Sequence, residues 1–183
     1  MNWLEAFEMA LPLLAIAGWS GTGKTTLLKK LIVVLKARGI RPGLIKHTHH
    51  DMDIDTPGKD SYELRKAGAD QVMVFNQQRW ALITELAELP VPDLQTLASR
   101  MDTRTLDIVL VEGFKHEPVA KIILWRNNPH KDLASLLDKH VIAVASDEKL
   151  ELSCPLLDLN DPEQIAAFIS DWMNSMASGA NGR

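Results

Sequence analysis

The run Gly18-Trp19-Ser20-Gly21-Thr22-Gly23-Lys24-Thr25 has the spacing G-x-x-x-x-G-K-[ST] of a phosphate-binding loop, and Thr26 follows it. Each residue type in that spacing has a use. Glycines at 18, 21 and 23 let the backbone turn tightly and aim successive N–H groups at one anion. Lys24 then reaches outer phosphates, and the Thr25 hydroxyl is placed to bind magnesium. Trp19, Ser20, Gly21, Thr22, Gly23, Lys24, Thr25 and Thr26 form the expected nucleotide-binding set. A second signal is Glu112, which closes the apolar run Leu106-Asp107-Ile108-Val109-Leu110-Val111 and precedes Gly113. A buried strand that delivers a carboxylate at its end, beside a phosphate loop, suits magnesium binding or orientation of an attacking water. Lys24 and Glu112 are thus the catalytic pair, and Thr25 and Glu112 the metal ligands. Asp107 starts the same strand at the far end and is read as structural.

Further residues carry weaker signals. Asp147 follows the apolar run Val141–Ala145, where its carboxylate can accept the N1–H and amino group of guanine; the Asn-Lys-x-Asp motif is absent. The same Ser146-Asp147 pair also reads as a turn or cap. His47, His49 and His50 beside Asp51 could bind a transition metal, contact phosphates, or lie in a solvated loop. Lys59, Arg65 and Lys66 read as a solvated helix face or as the site of a second anionic ligand.

These residues need elements to hold them. Leu13–Ala17 is a short apolar strand, and Lys24–Arg38 has apolar residues at helical spacing, with Gly39 as its stop. The helix start then points its partial positive charge at the phosphates. A strand within Ile40–Thr48 completes a parallel, right-handed βαβ unit. The acidic stretch His49–Pro57 is a loop, and Lys59–Ala67 a helix ended by Gly68. Gln71–Phe75 and Trp80–Glu85 suit a β-hairpin or a pair of sheet strands. A helix from Asp93 to about Met101 follows the Pro90-Val91-Pro92 break. Strands at 106–111, 119–125, 141–145 and 155–159 come next. Asn160-Asp161-Pro162 opens a closing helix that buries Ile165, Phe168, Ile169 and Trp172. The spacing predicts an α/β fold of the P-loop NTPase type: a mostly parallel β-sheet flanked by helices, with a β-hairpin insertion. Residues 1–12 form a leader without an assigned role, 13–174 the nucleotide-binding domain, and 175–183 a flexible tail.

With 183 residues, the chain can build one substantial core. A net charge of -4 argues against a broad nucleic-acid footprint. Cys154 stands alone, which excludes an intrachain disulfide and a four-cysteine zinc site. No apolar run is long enough to span a bilayer. The first residues carry Glu5 and Glu8 and no Lys or Arg, the reverse of a signal peptide, so a cytoplasmic location is expected.

Four stretches together resemble one family. They are Gly18–Thr26, Gly43–Asp51, Pro57–Gly68 and Val111-Glu112-Gly113-Phe114-Lys115. The chain is similar, from about Leu13 to Trp172, to the bacterial molybdopterin-guanine dinucleotide biosynthesis adapter proteins B (MobB). The resemblance implies a GTP-binding α/β fold with Mg2+, weak GTPase activity and a homodimer. It further implies association with the guanylyltransferase that joins GMP to molybdopterin, with molybdopterin or molybdoenzymes as further partners. No motif announces an arginine finger, and Arg79, Arg100 and Arg126 are not placed by sequence, so hydrolysis should be slow. Two other classes remain open at this point: a nucleotide-dependent metallochaperone using the His47/His49/His50 cluster, and a small-molecule kinase.

Overall fold

The computed structural model describes residues 11–48, 54–86, 90–128 and 130–180, with side chains to Ser178. By internal packing the chain forms two units: residues up to His47 together with those from Leu94 onward, and Thr48–Asp93.

The first unit holds six strands: β1 (Leu13–Gly18), β2 (Pro42–Lys46), β5 (Ile108–Glu112), β6 (Lys121–Trp125), β7 (Val141–Ser146) and β8 (Leu156–Asp158). The second holds β3 (Gln71–Phe75) and β4 (Trp80–Thr84). The large sheet has the order β2-β5-β1-β6-β7-β8 and every pairing in it is parallel. Its helices are α1 (Lys24–Ala37), α3 (Leu94–Ala98) and α4 (Pro162–Ala180); α2 (Asp60–Lys66) belongs to the smaller unit. Because a parallel sheet needs a cover on both faces, its strands read as continuous apolar runs. Alternate residues then sort to opposite sides. Leu14 and Ile16 of β1 join Ile108, Leu110, Ile122 and Leu124 against Leu28, Leu31 and Leu35 of α1 and Ile165 and Ile169 of α4. Ala15 of β1 turns the other way with Val109 and Val111, toward Leu94. Ala17 joins Ile123, Trp125 and Val144.

Element ends follow local chemistry. After α1, the Gly39 N–H donates to Lys36 O and the Ile40 N–H to Leu35 O, with Gly39 at φ 79, a Schellman-type stop. Asp161 caps α4 by accepting the Gln164 N–H at 2.9 Å, with Pro162 as the first helical residue. The expected flexible tail begins at Ser175, and its residues 181–183 lie outside the described residues, but α4 continues to Ala180. There Ser175 Oγ donates to Trp172 O and Ser178 Oγ to Asn174 O, so these hydroxyls fold back onto the helix's own carbonyls. Asp107 is structural as expected: its two oxygens take the Arg41 guanidinium, at 2.7 and 2.9 Å. That hydrogen bond holds the Asp107 carboxyl below its ordinary range, with the Arg41 charge adding to it and desolvation opposing.

In the smaller unit β3 and β4 are antiparallel, from Gln71↔Thr84 to Phe75↔Trp80, so the hairpin alternative holds. The Asn76 carboxamide oxygen accepts the N–H groups of Gln78 and Arg79 and shapes the turn. Arg65 departs from the expected solvated helix face. It is 9 % exposed and donates to Glu85 Oε1 at 2.7 Å, its guanidinium 5.3 Å from the Tyr62 ring centre. It is the buried residue of the seven-residue α2, held there by Glu85 and the Tyr62 ring. Lys59 and Lys66 are exposed.

Candidate functional site

The phosphate loop joins β1 to α1. Gly18, the last residue of β1, lies so close to β6 that a Cβ there would sit 2.6 Å from the Leu124 carbonyl oxygen. Only glycine fits. Gly23 precedes α1 with a left-handed φ of 91 and no side-chain cap, and the first turn of α1 carries no acid. First-turn N–H groups and the helix dipole are therefore left for an anion. Inside the loop, Thr22 Oγ1 donates to Trp19 O at 2.8 Å, and Thr22 is buried. Ser20, Gly21, Thr25 and Thr26 are exposed.

The Lys24 ammonium folds across the loop and donates to Gly18 O at 3.1 Å and Trp19 O at 2.9 Å. Burial holds its pKa below the ordinary 10.5; Glu112 pulls it back up, while Lys131, Lys115 and Lys46 push it further down. Thr25 Oγ1 donates to Glu112 Oε1 at 2.9 Å, a contact spanning 87 residues of sequence. Strand order explains it, since β5 lies beside β1 and the register pairs Ile16 with Glu112. Glu112 is 7 % exposed, and its Oε2 lies 3.5 Å from Lys46 Nζ, the last residue of β2. Gly113 follows with φ 102, and a Cβ there would lie 3.1 Å from His47 O.

Asp147, at the end of β7, forms an ion pair with Arg126, which stands just past β6. Arg126 also donates to Thr22 O at 3.4 Å and approaches Asn160 Oδ1 at 3.5 Å. Its neighbours Gly23, Thr26, Leu27, Lys30, Leu159, Asn160 and Pro162 line with it a pocket of about 120 Å³ beside the start of α1. Of the histidine cluster, His47 is exposed, its ring 5.4 Å from that of Phe114; His49, His50 and Asp51 lie outside the described residues. Among the described residues no group of three His, Cys, Asp or Glu side chains is arranged for a metal.

Comparison with known proteins decides the family. A model described as molybdopterin guanine dinucleotide synthesis protein B, MobB, matches residues 13–147. The chain belongs to the MobB family. It is 66% identical over 169 residues to a protein of Escherichia coli K12, covering 92% of this chain and 97% of that one. It is 49% identical over 164 residues to one of Haemophilus influenzae, covering 90% of each chain. Both relatives are named molybdopterin-guanine dinucleotide biosynthesis adapter proteins. Among solved structures, Bacillus subtilis MobB superposes with a TM-score of 0.71 at 26% identity, covering 87% of this chain and 97% of that one. A MobB homologue of Bacillus stearothermophilus gives 0.68 at 26% identity, covering 89% and 98%.

The site contains charges that sequence reasoning did not assign. Lys46, Lys115, Lys131 and Arg126 all converge on the loop: Lys131 Nζ donates to Ser20 O at 2.9 Å, and Lys115 Nζ lies 4.3 Å from the Trp19 ring centre. Two of them had a signal, because Lys46 and Lys115 stand inside stretches that carry the MobB resemblance. Arg126 and Lys131 follow a strand with no motif around them.

Proposed function

We propose that this chain is a GTP-binding adapter in molybdopterin-guanine dinucleotide biosynthesis. One observation carries the nucleotide part: Lys24, Thr25 and Glu112 meet at the mouth of a glycine loop that opens a helix. The names of its relatives carry the pathway. In this reading the loop from Trp19 to Thr26 holds the phosphates, with Lys24 on the outer ones. The Thr25 hydroxyl and the Glu112 carboxylate are hard oxygen donors a hydrogen bond apart, a donor set that suits Mg2+ completed by phosphate oxygens and water. Lys46 must then yield its place beside Glu112. Magnesium would supply charge neutralisation of the phosphates; the chain's own groups bind and orient.

The nucleoside would lie over the pocket at the start of α1, with Asp147 accepting from the guanine N1–H and amino group while Arg126 holds the carboxylate from its other side. Hydrolysis is slow and Mg-dependent in this reading, and the adapter acts with the guanylyltransferase in the cytoplasm, on molybdopterin or molybdoenzymes as further partners. Self-association into a homodimer draws support from the hairpin. Phe75 is 78% and Trp80 66% exposed, and a lone two-stranded hairpin is marginal in water. The metal-delivery alternative draws no support from the relatives, whose names concern the molybdopterin dinucleotide.

Calorimetric titration with GTP and ATP in magnesium tests the nucleotide part, and Asp147→Asn tests the base. Tighter binding of GTP, with that preference eroded in Asp147→Asn, is the expected result; equal affinity for both nucleotides would overturn the guanine reading. Capture of the guanylyltransferase from a defined mixture, with and without GTP, tests the partner.

A further inference from the structure

Trp19 is the first variable residue of the phosphate loop, and two lysines from distant segments converge on it. Lys115, three residues past the end of β5, places Nζ 4.3 Å from the indole centre. Lys131, beyond β6, places Nζ 5.9 Å from the same centre and donates to Ser20 O at 2.9 Å. Among the described residues neither ammonium meets a carboxylate within ion-pair distance, and the indole N–H of Trp19 is buried without an acceptor.

The location of the two lysines is informative. Lys24 donates to Trp19 O and Lys131 to the next carbonyl, Ser20 O, so both ammonium groups sit at one mouth of the loop. Lys115 approaches that mouth from the strand that carries Glu112. The pocket beside the start of α1 is lined by Gly23, Thr26 and Arg126 instead, and that is where a nucleoside would lie. Neither Lys115 nor Lys131 lines that pocket; both stand at the Trp19–Ser20 mouth with Lys24, the residue read as reaching the outer phosphates.

Lys131, Lys115 and Lys46 each add repulsion at the Lys24 ammonium, and among the described residues Glu112 is the one carboxylate that attracts it. That carboxylate already serves Thr25 and Lys46. Like charges this close repel, and the aromatic face offsets only about 0.5–2 kcal/mol for each cation. An added phosphate group relieves the repulsion, whereas a ligand one phosphate shorter leaves most of it in place.

We propose that Lys115 and Lys131 are a triphosphate-reading pair: they bind the terminal phosphate of a nucleoside triphosphate and make this chain distinguish it from the diphosphate. The inference rests on the nucleotide reading above. Trp19 serves as their resting place, and its emission reports their departure.

The test compares GTP, its non-hydrolysable imido analogue and GDP by calorimetry at fixed ionic strength and magnesium, in the wild type and in Lys115→Met, Lys131→Met and the double variant. The double variant should lose GTP affinity about tenfold or more, roughly one charge-assisted contact, and GDP affinity less than threefold. Lys115→Arg with Lys131→Arg should restore most of the preference for GTP. Indole fluorescence should change on adding the analogue and much less on adding GDP, and the difference between the two should vanish in Trp19→Phe, where Trp125 beside the base still reports binding of either. Equal losses for GTP and GDP would show a general electrostatic field and overturn the pair's assignment, as would unchanged affinities in a double variant that melts normally. If the wild type binds both nucleotides and the variants leave their ratio unmoved, this inference alone fails. If the wild type binds neither, the nucleotide reading fails first and takes the inference with it.

Discussion

Lys24→Ala separates a ligand-binding lysine from a loop-bracing one. In the folded chain its ammonium makes two hydrogen bonds, to Gly18 O and Trp19 O. Trp19 O keeps the Thr22 hydroxyl at 2.8 Å when Lys24 is removed, and the exposed mouth admits water to Gly18 O. The cost to folding is then about 1 kcal/mol, a fall of about 2–4 °C in Tm for a domain of this size. The cost to binding is larger. Each hydrogen bond from a charged donor contributes about 1.5–3 kcal/mol, but Lys24 must leave two carbonyls to reach a phosphate. That exchange trims its net contribution toward the lower end, so GTP affinity should drop about 10- to 100-fold. Binding should survive at that reduced level, because Lys46, Lys115 and Lys131 keep the mouth cationic. Calorimetry on a variant whose melt has been recorded is the assay. A Kd within twofold of wild type would refute the assignment of Lys24 to phosphate. A Tm lower by more than about 10 °C would show that the lysine's main role is to hold the loop.

Three further outcomes are expected. Lys24 sits below its ordinary pKa through burial, and a bound phosphate favours its charged form, so GTP binding should take up protons at alkaline pH and weaken as pH rises through the free-state pKa, by up to about tenfold per unit. Titration in buffers of different ionisation enthalpy measures this; proton release, or an uptake that persists in Lys24→Ala, contradicts it. In the free protein the sign for folding is opposite: a depressed lysine pKa means that stability gains as pH rises through the folded value, until the unfolded lysine also loses its proton. Gly18→Ala would force a Cβ to 2.6 Å from Leu124 O and should lower stability by at least about 2 kcal/mol in a denaturant melt, so a loss under 0.5 kcal/mol argues against the close approach of β1 and β6. Glu112→Gln should slow single-turnover hydrolysis at least about tenfold while GTP binding without magnesium holds or tightens, since one negative charge leaves the phosphate site; unchanged turnover removes Glu112 from the chemistry.

How much of this could be read from sequence depends on how local the information is. The glycine loop, the strand before it and the helix after it lie within Leu13–Ala37, where spacing and composition act over short range. Glu112 was legible for a related reason: a buried parallel strand is an apolar run, and a carboxylate at its end stands out. Cation convergence was not legible. Lys131 and Arg126 reach the loop because β6 pairs with β1, a fact of strand order that no local pattern encodes. Arg65 misled for the opposite reason. On a helix wheel it groups with Lys66, but a side chain long enough to reach Glu85 can turn inward and find a partner 20 residues away. The helical extension to Ala180 was hidden because Asn174, Ser175 and Ser178 are weak helix formers when judged alone.

Strand order also accounts for the charge of the site. In the parallel sheet all six C-terminal ends face the same way, and the register places Lys46 beside Glu112, Ile16 beside Glu112 and Gly18 beside Leu124. Trp125 pairs with Ser146 and Ser146 with Asp158, so Arg126 and Asp147 leave the sheet as neighbours. Five of the six strand ends therefore deliver groups to a common rim: the loop from β1, Lys46 from β2, Glu112 and then Lys115 from β5, Arg126 and then Lys131 from β6, Asp147 from β7. The acids and bases on that rim are not evenly mixed. Asp147 stays with Arg126 near the pocket beside α1, where the two charges offset each other. At the other end the Lys24 ammonium stands against those of Lys131, Lys115 and Lys46 with the single carboxylate of Glu112 to attract it. In the proposed reading a nucleotide along the loop would meet a weakly cationic end, where Lys30 adds to the Asp147–Arg126 pair, and a more strongly cationic end suited to phosphates. That asymmetry sets the direction in which a nucleotide would lie under the proposed function.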